Sequence, residues 1–189
     1  MKALYKEKLL VLQVQRDASQ DAYGELYDLY IERIYRFIAI KVSERHTAED
    51  LTSDVFLKTW NYLTQDSKGR EEAIKSFSGL IYRIARTTLV DFYRSKAKNQ
   101  ELPLETIEDM GDSSRVIENI HISQEAQAIL SMVKNLKREY QEVILLKYIE
   151  ELSTAEIAEI LGKKKTNVRV TLHRAMNMLK SMLDIDKKA

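Results

Sequence analysis

The chain has 189 residues, of which 44% are hydrophobic and 31% are charged, a balance typical of a globular protein that buries a core. Its 30 lysines and arginines nearly cancel its 29 acids. The absence of cysteine excludes disulfides and thiolate nucleophiles and fits a reducing cytoplasm. No apolar run approaches the roughly 18 residues of a membrane span, and lysines interrupt the N-terminal segment too often for a signal sequence. We therefore expect a cytoplasmic protein without membrane insertion.

Helix breakers and charge predict the domain organisation. With 1 proline and 5 glycines, helices can run almost uninterrupted, and no segment alternates as a strand would. Residues 99–123 hold the only proline, Pro103, with six acids and one base, and they lack a helical pattern. We predict an all-α fold in which two small helical domains, residues 1–98 and 124–189, are joined by a flexible acidic linker, residues 99–123.

The segment TAEDLTSDVFLKTW, residues 47–60, predicts a helix in the first domain. Thr47 is the expected N-cap, and Asp50 and Asp54 lie one turn apart. Like charges at that spacing cost an isolated helix about 0.2–0.5 kcal/mol, which a basic partner would offset. The alternative is structural, because acids in a first turn also favour the helix dipole.

The segment FSGLIYRIARTTLVDFYRSKAK, residues 77–98, predicts a second helix. One face is expected to be buried: Phe77, Ile81, Ile84 and Thr88, with Leu80 and Phe92 at its edges. The opposite face is expected to present Tyr82, Arg83, Arg86, Val90, Tyr93 and Arg94. Aromatic rings interleaved with arginines suit single-stranded DNA, because rings stack on unpaired bases while cations hold phosphates. Alternatively, the tyrosines pack against a neighbouring helix and keep only their hydroxyls in water.

The second domain carries a helix-turn-helix pattern. Ser153 and Glu156 form a capping box, and Leu152 and Ile157 occupy hydrophobic-staple positions, so a helix should begin at Thr154. It should end at Gly162, which tolerates a left-handed exit. A second helix should start near Thr166 with one buried stripe: Val168, Leu172, Ala175 and Leu179. Six residues then fall on its opposite side: Thr166, Arg169, Val170, His173, Arg174 and Asn177.

Positive charge concentrates on this second helix and on the turn before it. Residues 160–183 carry six lysines and arginines and no acid, which favours contact with a phosphate backbone and a major groove. The alternative is an ordinary solvated helix face. His173 has no second histidine or cysteine at ligand spacing, so we predict no metal site. His46, His121 and His173 are scattered, and no catalytic or cofactor-binding motif is visible.

Together these segments resemble the sigma factors of bacterial RNA polymerase, specifically the extracytoplasmic-function (ECF) type of the sigma-70 family, from about Asp21 to Leu183. AEDLTSDVFLKTW is similar to the family's polymerase-binding helix, and FSGLIYRIARTTLVDFYR to its helix for recognising and melting the -10 element. LSTAEIAEILGKKKTNVRVTLHRA is similar to its helix-turn-helix for the -35 element. Three such motifs in this order, with a linker before the third, are highly specific.

The resemblance implies partners and roles. Core RNA polymerase would be bound through its beta-prime clamp helices, facing Asp50 and Asp54, and through its beta flap. Residues 60–75 would capture a flipped base, and the linker would thread toward the active-site cleft. Promoter DNA would contact two sets of residues, the -10 set being Tyr82, Arg83, Arg86, Tyr93 and Arg94, and the -35 set being Lys163, Lys165, Thr166, Arg169, Val170, His173 and Arg174. An anti-sigma factor is a further partner that the resemblance allows.

Some positions depart from the family pattern. Leu80 stands where tryptophan is common and Thr87 where asparagine is usual, while Val170 and Thr171 replace a frequent Ser-Arg pair, which leaves the promoter sequence open.

The main alternative function is that of a conventional helix-turn-helix regulator whose N-terminal domain senses a ligand or dimerises. A helical hydrolase has no supporting motif, so we expect no enzyme activity and no cofactor.

Overall fold

The computed structural model describes residues 2–42, 44–65, 74, 76–100, 132–133 and 135–186. All regular secondary structure in these ranges is helical, which confirms the predicted all-α class. The chain divides into two compact units, Met1–Val116 and Ile117–Ala189. Of the predicted linker, only residues 99 and 100 are described, as the end of a helix.

The first unit contains four described helices: α1 (Lys2–Asp17), α2 (Gln20–Ala39), α3 (Arg45–Thr64) and α4 (Phe77–Gln100). Helices α1 and α2 pack as a hairpin whose turn passes through Ala18 in the left-handed region, at a φ of 47°. Ser19 caps α2, since its hydroxyl accepts the Ala22 N–H at 3.2 Å. Helix α4 contacts each of the other three helices, so the core surrounds it on more than one side.

Tyrosine hydroxyls on α2 fix the neighbouring helices. The Tyr30 hydroxyl donates to the Glu7 carboxylate of α1 at 2.6 Å, and the Tyr23 hydroxyl donates to the Phe56 carbonyl of α3 at 2.5 Å. Burial is the main cause that raises the pKa of both hydroxyls well above the ordinary range. The Tyr23 ring also meets Trp60 edge-on, with centroids 5.0 Å apart. These contacts hold α3 at a defined position on α2.

The N-cap of α3 lies three residues before Thr47, the N-cap that the sequence predicts, so that prediction is wrong. Glu44 is the N-cap, with extended backbone at φ −118° and ψ 131°. Thr47 lies inside the first turn, where its hydroxyl donates to the Glu44 carboxylate at 3.2 Å. Arg45 and Glu49 add an ion pair at 2.8 Å one turn apart. This pair supports a first turn that local capping signals alone would not assign.

The second unit contains α5 (Arg138–Ile144), a π-helical turn (Leu145–Ile149), α6 (Thr154–Leu161) and α7 (Lys165–Asp186). The chain reverses after the π turn through Glu150, whose side chain is buried, and Glu151, at a φ of 55°. The Leu152 N–H then bonds to the Leu146 carbonyl at 3.0 Å. The reversal brings α6 against the π turn, and α7 packs on both α5 and α6.

The predicted helix-turn-helix signals are confirmed. The Ser153 hydroxyl accepts the Glu156 N–H at 3.3 Å and the Glu156 carboxylate accepts the Ser153 N–H at 2.8 Å, completing the capping box. Gly162 adopts the left-handed conformation at φ 62° and ψ 30°. Helix α7 begins at Lys165, one residue before the predicted start. The predicted stripe faces inward, with Val168, Ala175 and Leu179 buried and Leu172 half-buried.

Candidate nucleic-acid interface

The residues of α7 that we predicted to face outward are all exposed: Thr166, Arg169, Val170, His173, Arg174 and Asn177. We call these six residues the outer face of α7. Val170 leaves 48% of its surface in water, although an apolar side chain gains nothing from that position. Lys163 and Lys165, at the turn before the helix, are exposed as well. The inner stripe fixes the rotation of α7, so these side chains point away from the unit together.

The outer face of α7 offers hydrogen-bond donors and positive charge, with no acid near it in the sequence. Between Lys163 and Ser181 the sequence contains no aspartate or glutamate. The guanidinium groups of Arg169 and Arg174 can each donate a pair of hydrogen bonds to guanine or to a phosphate. His173 Nδ1 lies 3.4 Å from the Asn177 side-chain amide. An exposed Val170 suits contact with a thymine methyl group in a major groove.

Helix α4 exposes only part of the face predicted to bind DNA. Arg83, Arg86 and Arg94 are exposed as expected. The prediction that Tyr82 and Tyr93 share that face is wrong, because their side chains are 0% and 7% exposed. A buried ring cannot stack on an unpaired base unless the helix repacks. The candidate DNA-contacting set on α4 is therefore the three arginines.

The two tyrosines are buried because α4 packs against three helices rather than one. The Tyr82 ring meets Phe37 of α2 edge-on at 5.3 Å, and the Arg33 guanidinium lies 5.8 Å from its centre. The Tyr93 hydroxyl donates to the Lys41 carbonyl just beyond α2. The buried arc of α4 is thus wider than the stripe read from periodicity. The alternative that the sequence left open, packing of the tyrosines on a neighbouring helix, describes the rings, but not their hydroxyls: Tyr82 is buried entirely and the Tyr93 hydroxyl is hydrogen-bonded within the protein rather than left in water.

Asp50 and Asp54 lie on the outer side of α3, with Asp50 exposed and Asp54 half-buried. The Asp54 carboxylate forms an ion pair with Lys58, one turn further on, at 2.7 Å. Lys58 Nζ also donates to the buried Thr88 hydroxyl of α4 at 3.2 Å. Leu57, which the sequence analysis missed, is 59% exposed on the same side. Its spacing of seven residues from Asp50 and three from Asp54 would have indicated this face.

Other predicted features fall partly outside the described residues. Of the predicted base-capturing segment, residues 66–73 and 75 are not described. Within the part of the chain that is described, no group of three or more histidine, cysteine or acidic side chains could hold a metal ion. None of the described helices combines the length and apolarity needed to cross a membrane.

Family comparisons assign both units. The family model for sigma-70 region 2 matches residues 26–99, and the one for sigma-70 region 4 matches residues 126–179. The first match contains α3 and all but the last residue of α4, with Asp50, Asp54 and the three exposed arginines. The second contains the whole outer face of α7. The two regions occur in the order predicted from the sequence motifs.

Characterised relatives extend over nearly the whole chain. RNA polymerase sigma factor YlaC of Bacillus subtilis is 30% identical over 163 residues, which cover 85% of this chain and 91% of that protein. ECF RNA polymerase sigma factor SigW of the same organism is 29% identical over 185 residues, covering 93% and 96%. ECF RNA polymerase sigma factor BldN of Streptomyces coelicolor is 31% identical over 170 residues, covering 89% of this chain. The match spans 62% of the length of the Streptomyces protein.

Solved structures share the fold. CnrH, in complex with the cytosolic domain of CnrY, has a TM-score of 0.66 and 22% identity, covering 96% of this chain and 99% of that one. The sigma factor RpoE of Bartonella quintana, in complex with the anti-sigma factor NepR, has a TM-score of 0.60 and 20% identity, covering 87% and 98%. The two family models and the relatives in sequence assign the family: the chain belongs to the sigma-70 family of RNA polymerase sigma factors, and within it to the ECF type.

Proposed function

We propose that this sigma factor directs promoter-specific transcription initiation by dividing promoter contacts between its two units, with α7 reading the -35 element. The observation that carries this assignment is the outer face of α7, which is exposed, free of acids and held by the buried stripe beneath it. Arg169, Val170, His173 and Arg174 reach base edges, whereas Lys163 and Lys165 contact phosphates. Base contacts supply sequence preference and phosphate contacts supply most of the affinity.

In the first unit, α4 contacts the -10 element through Arg83, Arg86 and Arg94. These arginines bind the phosphates of the strand that separates. An exposed guanidinium binds a phosphate whatever the base sequence is. Tyr82 and Tyr93 act indirectly, since their buried rings set the rotation of α4 that turns the arginines outward.

Core RNA polymerase docks on the outer side of α3. Asp50 and Asp54 face basic residues of the beta-prime clamp helices, and Leu57 supplies an apolar contact between the two partners. A partly exposed leucine flanked by acids has the composition of an interface centre with a polar rim. The second unit meets the beta flap, and an anti-sigma factor occupies one or more of these surfaces when the sigma factor is held inactive.

Sigma factors are initiation factors, and we propose that this chain catalyses no reaction of its own, requires no cofactor and works in the cytoplasm. Chemistry then belongs to the polymerase, and the contribution of this chain is binding energy. Its surfaces need complementarity to DNA and to a protein, rather than a cavity with nucleophiles and acids.

Transcription from a promoter with purified core polymerase and this protein alone tests the proposal. We expect transcript starts that depend on the added protein. Arg174→Ala should lose about 1–3 kcal/mol of -35 affinity and relax preference at one base pair, because a bidentate contact to guanine is lost. A protein that binds DNA alone but fails to start transcription with core polymerase would instead support a conventional helix-turn-helix regulator.

A further inference from the structure

Lys163 occupies a fixed position in the helix-turn-helix. It follows the left-handed Gly162, and its own N–H bonds to the Ala158 carbonyl at 2.9 Å. The backbone therefore presents the Lys163 side chain in one direction at the turn between α6 and α7. Its ammonium lies 3.2 Å from the carboxylate of Glu139, in the first turn of α5. The side chains of Lys163 and Glu139 are 37% and 52% exposed.

We propose that Glu139 competes with DNA phosphates for Lys163 and thereby limits the affinity of the helix-turn-helix for DNA. The proposal rests on the proposed function of α7, because only a turn that meets a phosphate backbone makes Lys163 a contested cation. Glu139 is 24 residues away in sequence, so this acid enters the basic surface only through the packing of α5 on α7.

Charge and exposure support exchange rather than a permanent pair. An ion pair between exposed side chains is weak, so a phosphate of comparable charge can displace the carboxylate. Because Glu139 lies beside Lys163, a phosphate bound to Lys163 would lie within the roughly 10 Å over which charges act at about 0.1 M salt. DNA binding by the wild-type protein is therefore weakened in two ways: the ion pair between Lys163 and Glu139 must break, and the freed carboxylate then repels the phosphates.

The neighbouring lysines of the turn provide an internal comparison. Lys164 and Lys165 are exposed, and among the described residues no acid forms an ion pair with either of them. The two lysines are available to phosphates without an exchange step. If DNA binding depended only on total positive charge, the gain in affinity from Glu139→Gln would be the same whichever of the three lysines had been replaced.

Fluorescence anisotropy of the full-length protein on a labelled duplex of mixed sequence is the test, because phosphate contacts do not require the promoter sequence. Glu139→Gln should tighten binding by up to about fivefold, the equivalent of about 1 kcal/mol for an exposed ion pair. The slope of log affinity against log salt should become steeper by up to about 0.9, as Lys163 gains a full phosphate contact. A mere change in folding would leave that slope unaltered.

Three controls separate the outcomes. Glu32→Gln makes the same charge change on an exposed residue of α2 and should tighten binding less. In a Lys163→Gln background most of the gain from Glu139→Gln should vanish, whereas in a Lys164→Gln background it should persist. A gain equal to that of Glu32→Gln, or one undiminished by Lys163→Gln, overturns the proposal.

The proposed function of α7 is tested separately by the double variant Arg169→Ala, Arg174→Ala on the same duplex. If this variant binds DNA as tightly as wild type, α7 is not the DNA-binding surface, and the roles of both α7 and Glu139 fall. If it binds weakly while Glu139→Gln changes nothing, the function of α7 stands and the competition by Glu139 is refuted.

Discussion

Replacement of Tyr82 tests whether this ring belongs to the core or to the DNA-binding surface. Tyr82→Ala removes a fully buried ring that meets Phe37 edge-on at 5.3 Å and lies 5.8 Å from the Arg33 guanidinium. Truncation of a buried aromatic side chain costs about 3–5 kcal/mol, of which the ring pair itself accounts for about 0.5–1.5 kcal/mol. Because a small domain is stable by only about 5–15 kcal/mol, the first unit should unfold at much lower denaturant concentration.

The single tryptophan, Trp60, makes this measurement specific to the first unit. It lies in α3 against Tyr23, so its fluorescence during urea unfolding reports the helices that pack around Tyr82. Arg94→Ala is the matched control, since Arg94 is exposed on the same helix and its loss should change stability by no more than about 0.5 kcal/mol. If Tyr82→Ala unfolded like Arg94→Ala but slowed promoter opening, the ring would face DNA and our account of α4 would be refuted.

Three further changes probe the remaining features. Glu151→Gly should raise the free energy of unfolding of the second unit by about 1 kcal/mol, because Glu151 holds a φ of 55° that glycine adopts without strain; an unchanged midpoint in a thermal melt followed by circular dichroism would contradict this. Replacement of both Asp50 and Asp54 by lysine should weaken core polymerase binding in a pull-down titration. The free energy of unfolding of the first unit, followed by Trp60 fluorescence, should change by about 1 kcal/mol or less, since the Asp54–Lys58 pair is partly exposed. The raised pKa of the Tyr30 hydroxyl means that folded protein holds this proton more tightly than unfolded protein, so stability is full below about pH 10 and falls as pH rises above it; Tyr30→Phe should lose less stability over that range, and an equal loss would show that Tyr30 is not responsible.

The helix-turn-helix was predictable because its signals are local. Ser153 and Glu156 are three residues apart, and Gly162 ends the same helix, so neighbouring residues alone determine where α6 starts and stops. The inner stripe of α7 follows from one periodicity because α7 turns a single broad face inward. The exposed outer face of α7 then consists of the positions opposite that stripe. No prediction about this pair of helices required knowledge of a distant contact.

The rotation of α4 was less predictable because several partners surround it. Periodicity finds one buried stripe, yet α4 contacts α1, α2 and α3, and all six residues from 77 to 82 are buried. The sequence pattern therefore predicts Tyr82 and Tyr93 at the surface, whereas the structure places them in the core. The pairing of Glu139 with Lys163 is likewise absent from local sequence, since 24 residues separate them. Their encounter depends on how α5 packs against the turn.

The π turn at Leu145–Ile149 makes the second unit sensitive to insertions. The Glu150 N–H bonds to the Leu145 carbonyl five residues back, at 3.0 Å, so the turn holds one residue more than an α-helical turn would. Deleting one residue there would restore an α-helical turn and leave the segments on either side in nearly the same angular positions, whereas inserting a further residue would rotate α5 by about 100° relative to everything that follows. After such an insertion Val143 would leave the core, and Glu139 would move away from Lys163. Conservative substitutions within the turn should therefore be tolerated far better than an added residue, because the length of the turn sets the angular position of α5 against the helix-turn-helix.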